Sequence, residues 1–321
     1  MNDADQVRQR LESAIGDRYE VVDTIGQGGM ATVYLTRHRR HGGFCAVKVL
    51  ADHLARHEGL VRSFLSEAQA SASLDAHPNI VTIVDIAEHD GLYYMVMKYV
   101  EGEDLSTYLE RKEKLPWKHA AYVAAEIAEA LAWSHDRGVI HRDLKPSNVR
   151  IDRRGGVTVM DFGIAKVGQT PTTFTEMGAV AGTPHYMAPE QIRGDAIDHR
   201  SDLYALGVIL YQMVTGVKPF DGPTSTAVWQ AHLAKEPPDP RELEPSIPEP
   251  LGYIILKLLA KDPARRYDSA ARALGHLRRL GLDGVRRELD PIDSLDLDAR
   301  RSTGARPASS TPFYRGGRTR T

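Results

Sequence analysis

The sequence contains very little cysteine, since Cys45 is the single one among 321 residues. An intrachain disulfide is therefore excluded, and this composition is typical of a reducing compartment, so we expect a cytoplasmic location. Cys45 lies in the apolar run FCAVKVL. We expect it to pack there as an inert strand residue rather than to act as a reactive thiol.

Long hydrophobic runs are also missing. No stretch approaches the roughly 18 apolar residues of a membrane span. The nearest, LGYIILKLLA at 251–260, is short and contains Lys257, which predicts a core helix. The N-terminal sequence MNDADQVRQRLESAIG is polar and has no apolar core of the kind found in signal peptides. We therefore expect no membrane span in this chain.

The chain has no large excess of charge of either sign, with a formal net charge of −2. This balance argues against nucleic acid as a partner, because a protein that coats nucleic acid needs a basic surface. With 42% hydrophobic and 26% charged residues, the composition is that of an ordinary globular protein. The length suits one bilobal domain or two compact domains.

Residues 19–100 have the composition of a β-sheet. Short runs rich in valine, isoleucine and tyrosine alternate with breaks at Gly or Asp, which predicts an antiparallel meander. One predicted helix interrupts it at 59–74. The strand runs are YEVVDTIG, ATVYLTRH, FCAVKVLA, IVTIVDIAE and YYMVMKYV.

Beyond residue 104 the apolar pattern becomes helical. In WKHAAYVAAEIAEALAWSHDRG, Val123, Ile127 and Leu131 share one helix face. A strand-rich half followed by a helix-rich half predicts an α+β architecture with two lobes, an N-lobe at about 19–100 and a C-lobe at about 101–282. The further predicted helices lie at 201–215, 250–260 and 268–280.

The two ends of the chain are predicted to lie outside these lobes. Val7, Leu11 and Ile15 recur every four residues, which predicts a short amphipathic helix within an N-terminal extension, residues 1–18. Residues 283–321 are rich in Ser, Thr, Pro, Gly and Arg, and we expect a disordered, basic tail. We interpret this tail as a solvated linker; a docking or membrane-surface patch is the alternative.

A glycine-rich segment, GQGGMATVY at 26–34, lies between two predicted strands. Its glycines let the backbone fold closely over phosphate groups, with amides facing the oxygens. A plain tight turn would have the same composition. The segment is not a P-loop, because no Gly-Lys-Ser/Thr follows, and it is a poor dinucleotide fingerprint, because a strand rather than a helix comes next.

Lys48 lies in the apolar strand CAVKVL. A lysine in such a strand needs a partner, because burial of an unpaired charge costs much free energy. A nucleotide phosphate is one candidate partner, and Glu67 in the helix at 59–74 is another. Either residue alone would be an ordinary surface charge, but the neighbouring glycine-rich segment favours a functional pair.

Four polar residues follow in a fixed order: Asp143, Lys145 and Asn148 in HRDLKPSN, then Asp161 in VMDFG. Two acids and one amide can place oxygen ligands around Mg²⁺. A carboxylate can orient a substrate hydroxyl and accept its proton, and a lysine suits the charge of a transferring phosphoryl group. These residues predict phosphoryl transfer.

The motifs together resemble those of eukaryotic-type serine/threonine protein kinases, and most of all those of the bacterial branch. The resemblance covers roughly residues 19–280 and implies a bilobal protein-kinase-like fold. It also implies a non-specific serine/threonine protein kinase as the enzyme class. The matching segments are IGQGGMATVY, AVKVL, SEAQ, HRDLKPSN, DFG, GTPHYMAPE, SDLYALG and DPARRY.

The resemblance implies roles for single residues. Asp143 would be the catalytic aspartate, Lys145 would contact the γ-phosphate, and Lys48 would hold the α- and β-phosphates while paired with Glu67. Asn148 and Asp161 would bind Mg²⁺, with Mn²⁺ as the alternative ion. The residues expected to bind ATP are Ile25, Gly26, Gln27, Gly28, Gly29, Met30, Val33, Ala46, Lys48, Met97, Tyr99, Val100, Asp104 and Arg150.

Three further residues are expected to act as scaffold: Glu190 and Arg266 as a buried ion pair, and Asp202 as a brace for the catalytic loop. Lys145, with Thr183 in GTPHY, matches the serine/threonine-specific pattern, so protein substrates bearing Ser or Thr are implied.

Arg142 beside the catalytic aspartate is typical of kinases activated by phosphorylation of the activation segment. We predict phosphorylation of Thr175, with Thr173 next. Self-association for phosphorylation between copies of the chain would follow.

Arg150 departs from the family pattern, because its register places it on the floor of the adenine site, where leucine or methionine is usual. In one interpretation its methylenes pack under the purine and its guanidinium lies flat or turns outward, near Glu101, Glu103 and Asp104. In the other, an unpaired charge weakens ATP binding. The alternative function is then a pseudokinase or binding scaffold. A small-molecule phosphotransferase of related fold is a third hypothesis, which GTPHYMAPE disfavours.

Overall fold

The computed structural model describes residues 3–74, 77–162 and 184–290 of the chain. The N-lobe contains a five-stranded sheet whose neighbouring strands are all antiparallel, in the order β1-β2-β3-β5-β4. The predicted meander is therefore confirmed for β1 to β3. β4 lies at the sheet edge, outside β5, because two helices separate it from β3. The strands are β1 Tyr19–Gln27, β2 Ala31–His38, β3 Phe44–Leu50, β4 Ile83–His89 and β5 Leu92–Lys98.

Both faces of this sheet are covered by helices. Helix α1, Asp3–Ile15, packs Val7, Leu11 and Ile15 against one face, so the predicted amphipathic stripe is buried. Helix α3, Glu58–Ala72, follows the short α2, Asp52–Ala55, and covers the opposite face. Because side chains alternate along a strand, β3 sends Val47 and Val49 to the α1 face.

The C-lobe is built around two buried helices, α5, Trp117–His135, and α7, Arg200–Thr215. The predicted face of α5 is confirmed, since Val123, Ile127 and Leu131 are fully buried. Nearly every residue of α7 is buried as well. The helices after the N-lobe, within the part of the chain that the structure describes, are α4 Leu105–Lys112, α5 Trp117–His135, α6 Pro189–Arg193, α7 Arg200–Thr215, α8 Ser225–Ala234, α9 Pro240–Leu243, α10 Glu249–Leu258 and α11 Ala270–Arg278.

A small three-stranded sheet joins the segment between the lobes to the catalytic loop. It consists of β6 Glu103–Asp104, β7 Val149–Ile151 and β8 Val157–Val159, with both pairs antiparallel. The hairpin predicted in VRIDRRGGVTVM is β7–β8. A 3-10 turn, Pro146–Asn148, precedes β7 and carries part of HRDLKPSN.

The folded chain continues past the predicted lobe boundary at 282. A 3-10 turn at Val285–Glu288 follows α11, and Val285 and Leu289 are buried against the C-lobe core. Residues 283–290 were predicted as the start of a disordered tail; in the structure two apolar side chains anchor them. The composition of this segment is polar, so its two apolar side chains gave a weak sequence signal. Residues 291–321 lie outside the described residues.

Candidate active site

Lys48 forms one ion pair within the N-lobe and a second ion pair with the C-lobe. Its Nζ lies 2.9 Å from Oε1 of Glu67 on α3 and 3.1 Å from Oδ1 of Asp161, and its side chain is 17% exposed. Burial alone would lower the pKa of Lys48, but the charges of Asp161 and Glu67 outweigh burial and raise it, so the ammonium stays charged. The predicted Lys48–Glu67 pair is present, and it contains a third member, Asp161.

The catalytic loop adopts a backbone conformation that is unusual for residues with side chains. Arg142 and Asp161 have φ angles of 64° and 46°, in the left-handed region, where a side chain costs free energy. The buried carboxylate of Asp202 accepts hydrogen bonds from the backbone N–H of His141 and of Arg142, both at 2.8 Å. Asp202 is therefore the brace that was predicted for this loop.

His141 positions the backbone of Asp143. Its Nε2 donates to the carbonyl oxygen of Met160 at 2.9 Å, and its Nδ1 accepts from the N–H of Asp143 at 3.3 Å. Burial lowers the pKa of His141, so the ring is neutral with its proton on Nε2. This histidine joins the loop of Asp143 to the segment of Asp161.

Asp202 also bonds to His135 on α5, at 2.8 Å from its Nε2. Burial would raise the pKa of Asp202, but the hydrogen bonds from the His135 ring and from the backbone N–H of His141 outweigh burial and lower it. The carboxylate therefore remains ionised inside the C-lobe and holds the loop at neutral pH.

The residues expected around the phosphates lie together. Nζ of Lys145 is 2.8 Å from Oδ2 of Asp143. The amide nitrogen of Asn148 donates to the backbone oxygen of Asp143 at 3.0 Å, which leaves the amide oxygen as an acceptor. Two carboxylates and an amide oxygen are a donor set that Mg²⁺ accepts. Within the described residues no group of three or more His, Cys, Asp or Glu side chains is placed to hold a metal ion.

A cavity of about 180 Å³ opens beside Lys48. It is lined by most of the residues predicted to bind ATP. The predicted residues Gln27 to Met30 do not line it, since Gln27 ends β1, the next three residues form the β1–β2 turn, and Met30 is exposed. The lining residues among those predicted to bind ATP are Ile25, Gly26, Val33, Ala46, Lys48, Met97, Tyr99, Val100, Asp104 and Arg150, and Asp161, which was predicted to bind Mg²⁺, lines the cavity as well.

Three lining residues, Lys98, Ser147 and Met160, were not among the predicted site residues. Met160 directly precedes Asp161, and Ser147 lies between Lys145 and Asn148 in the catalytic loop. Position next to a motif was the available signal for these two residues. The fold turns both toward the cavity through the 3-10 turn and the end of β8.

Arg150 lines the cavity, as predicted, but its guanidinium turns to the backbone of the segment between the lobes. Nη2 donates a hydrogen bond to the carbonyl oxygen of Gly102, while Nε is buried without a hydrogen-bond partner among the described residues. Gly102 has a φ of 106°, and a Cβ there would lie 2.0 Å from the carbonyl oxygen of Ile151. This close approach brings the Gly102 carbonyl within reach of Arg150.

The predicted scaffold pair is confirmed. Arg266 donates to both carboxylate oxygens of Glu190, at 2.6 and 2.8 Å, and both side chains are almost fully buried. Cys45 is buried in β3, and burial raises the pKa of its thiol, which agrees with an inert residue. Thr173, Thr175 and Thr183 lie outside the described residues.

A second, larger cavity of about 790 Å³ lies on the other side of the catalytic loop. Lys145, Pro146 and Ser147 form its inner wall, and α4 contributes Glu110. Tyr186 and the end of α7 complete it. A groove of this size beside the catalytic loop has room for an extended peptide.

The family of protein kinase domains matches residues 19–277. The chain belongs to the protein kinase family. It is 42% identical over 256 residues to the serine/threonine-protein kinase PrkC of Bacillus subtilis, covering 80% of this chain and 39% of that protein. It is 41% identical over 270 residues to the serine/threonine-protein kinase PknB of Mycobacterium leprae, covering 83% of this chain and 43% of that protein.

Similarity extends to solved structures. The kinase domain of PknI from Mycobacterium tuberculosis has a TM-score of 0.64 and 29% sequence identity, covering 81% of this chain and 95% of that one. The predicted family, bilobal kinase fold and similarity to bacterial serine/threonine-protein kinases are thereby confirmed. The kinase chain spans about two fifths of the length of the curated relatives it matches. Among the described residues, no helix has both the length and the apolar character needed to cross a membrane.

Proposed function

We propose that this kinase transfers the γ-phosphate of ATP to Ser and Thr hydroxyls of proteins. One observation carries the proposal: Lys48, paired with Glu67, and Asp161 line the same cavity, next to the loop that holds Asp143 and Asn148. Phosphoryl transfer needs mainly positioning and charge stabilisation, and these residues supply both.

The reaction assigns a role to each charged side chain. The substrate hydroxyl oxygen forms a bond to the γ-phosphorus, the bond from that phosphorus to the β–γ bridging oxygen breaks, and ADP leaves. The carboxylate of Asp143 orients the hydroxyl and accepts its proton. The ammonium of Lys145, which lies 2.8 Å from Asp143, contacts the transferring phosphoryl group, and Lys48 holds the α- and β-phosphates.

Asn148 and Asp161 would hold the metal ion, for which we propose Mg²⁺, with Mn²⁺ as the alternative. When bound, the ion neutralises charge that develops on the phosphates. The chain itself prepares the ligands, because Asn148 donates its amide protons to the Asp143 backbone and Lys48 holds Asp161.

The adenine edge would bond to the backbone near Tyr99 and Val100, and the ribose would lie near Asp104, all of which line the cavity. The protein substrate would lie along the larger groove beside Lys145 and Ser147. A cytoplasmic site of action agrees with the use of ATP and with a single, buried cysteine.

We further propose that phosphorylation of Thr175, and next of Thr173, activates the kinase through transfer between two copies of the chain. Support comes from Arg142, whose backbone is held by Asp202 and whose Nε is buried without a hydrogen-bond partner among the described residues. A phosphate placed near this guanidinium would gain a charge-assisted hydrogen bond.

The test is incorporation of labelled phosphate into a generic basic protein with ATP and Mg²⁺. We expect Asp143→Asn to lose at least about a hundredfold in rate, because general-base contributions are of this size. Asp136→Asn, an exposed change at the end of α5, is the matched control and should keep full activity. Equal incorporation by Asp143→Asn and the wild type would contradict the proposal. Phosphopeptide mapping of active protein should find phosphate between residues 170 and 177.

A further inference from the structure

The chain after α11 forms a strap, defined here as Gly284–Asp290, that runs across the C-lobe to α4. Val285 and Leu289 anchor it in the core. In the middle of the strap, the backbone oxygen of Arg286 closely approaches Gly155 in the β7–β8 turn, where a Cβ would lie 2.0 Å away. Arg286 Nε also donates to the carbonyl oxygen of Arg154 at 3.2 Å. The strap therefore packs against the hairpin that follows the catalytic loop.

The strap ends in three contacts between Asp290 and the last turns of α4. Its Oδ2 lies 2.7 Å from Nζ of Lys112, its Oδ1 accepts from the hydroxyl of Tyr108 at 3.1 Å, and its backbone oxygen accepts from Nη2 of Arg111 at 3.0 Å. The hydrogen bond from Lys112 lowers the pKa of Asp290, so its carboxylate is ionised. Burial raises the pKa of Tyr108 to about 12, so the phenol stays protonated and donates.

The same helix is joined to the nucleotide cavity. Arg111, which contacts Asp290, also pairs with the buried carboxylate of Glu103 at 2.5 Å. Glu103 and Asp104 form β6, which pairs with β7 so that Asp104 lies opposite Arg150. Both Asp104 and Arg150 line the cavity. A displacement of α4 would thus reach two lining residues through one ion pair and one strand pair.

Asp104 also fixes the first turn of α4. Its carboxylate accepts from the backbone N–H and from the hydroxyl of Thr107, both at 3.0 Å, and from the hydroxyl of Ser106. Helix α4 is therefore held at its N-terminus by a residue of the nucleotide cavity and at its C-terminus by the strap. The helix has only 8 residues, so its two anchored ends lie two turns apart.

We propose that Asp290 is a positioning residue for nucleotide binding, acting through α4 on Asp104 and on the β6–β7 pair. It does not touch the nucleotide. The expected signature is a change in the KM for ATP with little change in kcat, because Lys48, Asp143 and Asn148 are held by contacts that do not involve the strap. The inference rests on ATP as the substrate of the proposed function.

The test compares ATP binding and steady-state kinetics in a matched series of variants. Asp290→Ala should raise the KM for ATP and the Kd for a fluorescent ATP analogue by about three- to tenfold, as expected when one ion pair and one hydrogen bond are lost. The kcat should stay within about twofold. Asp290→Asn keeps an acceptor for Tyr108, so its KM and Kd should lie between those of the wild type and those of Asp290→Ala. Asp290→Glu keeps the charge and should bind ATP like the wild type.

One control separates positioning from general stability. Asp268→Ala removes an exposed ion pair with Arg272 on α11, far along the C-lobe from α4, and should leave the KM for ATP unchanged. If Asp290→Ala does not fold, Lys112→Met tests the same contact from the side of the helix. Unchanged ATP affinity in Asp290→Ala, or in Lys112→Met, would overturn the inference. So would a fall in kcat that equals the change in kcat/KM. Analogue binding is measured without protein substrate, so failure of the strap can be told apart from failure of the proposed kinase activity.

Discussion

Arg150 donates a hydrogen bond from its guanidinium to the carbonyl oxygen of Gly102, at the rim of the nucleotide cavity. Arg150 therefore lines the cavity while its guanidinium is bound to the backbone between the lobes. This arrangement corresponds to the first of the two interpretations of Arg150, in which the purine packs on the stem of the side chain.

Replacement of Arg150 by leucine should therefore change the Kd for ATP by less than tenfold, or about 1.4 kcal/mol. Nη2 of the guanidinium already has an acceptor, so the substitution relieves only the cost of the buried Nε, and the leucine retains an apolar floor. Isothermal titration with ATP and Mg²⁺ would measure the effect. Arg272→Leu, an exposed arginine of α11, is the control. A gain above tenfold in affinity would favour the interpretation in which Arg150 weakens the site.

Glu67→Gln should lower kcat/KM for ATP by at least about tenfold. Without the carboxylate of Glu67, the charge of Lys48 would be balanced by Asp161 alone, and Asp161 would then be less available to the metal ion. Steady-state phosphorylation rates measure this change. Glu58→Gln on the same helix is the control, because the Glu58 side chain is 93% exposed and should not affect the rate. Equal rates for Glu67→Gln and the wild type would refute the assigned role of the pair.

Asp202→Asn should lower the free energy of unfolding at neutral pH and have a smaller effect on it at acidic pH. The pKa of Asp202 is lowered in the folded state, so the carboxylate contributes stability above the ordinary carboxyl pKa of about 4, and the contribution is lost as the pH falls through the folded pKa. Urea unfolding at pH 7 and at pH values below about 4 would measure the difference. A gap between wild type and variant that is constant with pH would contradict the ionised state of Asp202.

Leu11→Ala should destabilise the N-lobe by about 2–5 kcal/mol, the range for large-to-small changes in cores. Leu11 is fully buried between α1 and the sheet, although it precedes the residues matched by the kinase family. Thermal melting should show a lower Tm. Ser13→Ala, on the exposed side of α1, should leave the Tm unchanged. A Tm equal to that of the wild type in Leu11→Ala would mean that α1 does not support the sheet.

Much of the fold was predictable from local pattern. The valine, isoleucine and tyrosine enrichment at 19–100 gave the strands, and the helical face of Val123, Ile127 and Leu131 gave the buried side of α5, because both signals are properties of the local sequence. The edge position of β4 was not predictable in this way, since pairing between distant strands depends on which faces the helices cover.

In the candidate site too, some residues were predictable from the sequence and others depended on the tertiary structure. Asp143, Lys145 and Asn148 are near neighbours in sequence, so their grouping in one loop followed from the motif. Ser147 and Met160 were missed as lining residues, because which side chain of a loop or strand end faces a cavity depends on the backbone conformation there. The direction of the Arg150 guanidinium depended on the close packing of Gly102 against Ile151.

The sequence by itself determined the family, the two-lobed α+β architecture and the identity of the charged residues, because these follow from motif order and from the period of the apolar residues. The tertiary structure decided which of these residues meet. It placed Lys48 between Glu67 and Asp161, and it extended the folded chain through the strap to Asp290 and α4. Contacts between residues far apart in the chain depend on the packing of whole elements, and no local pattern specifies that packing.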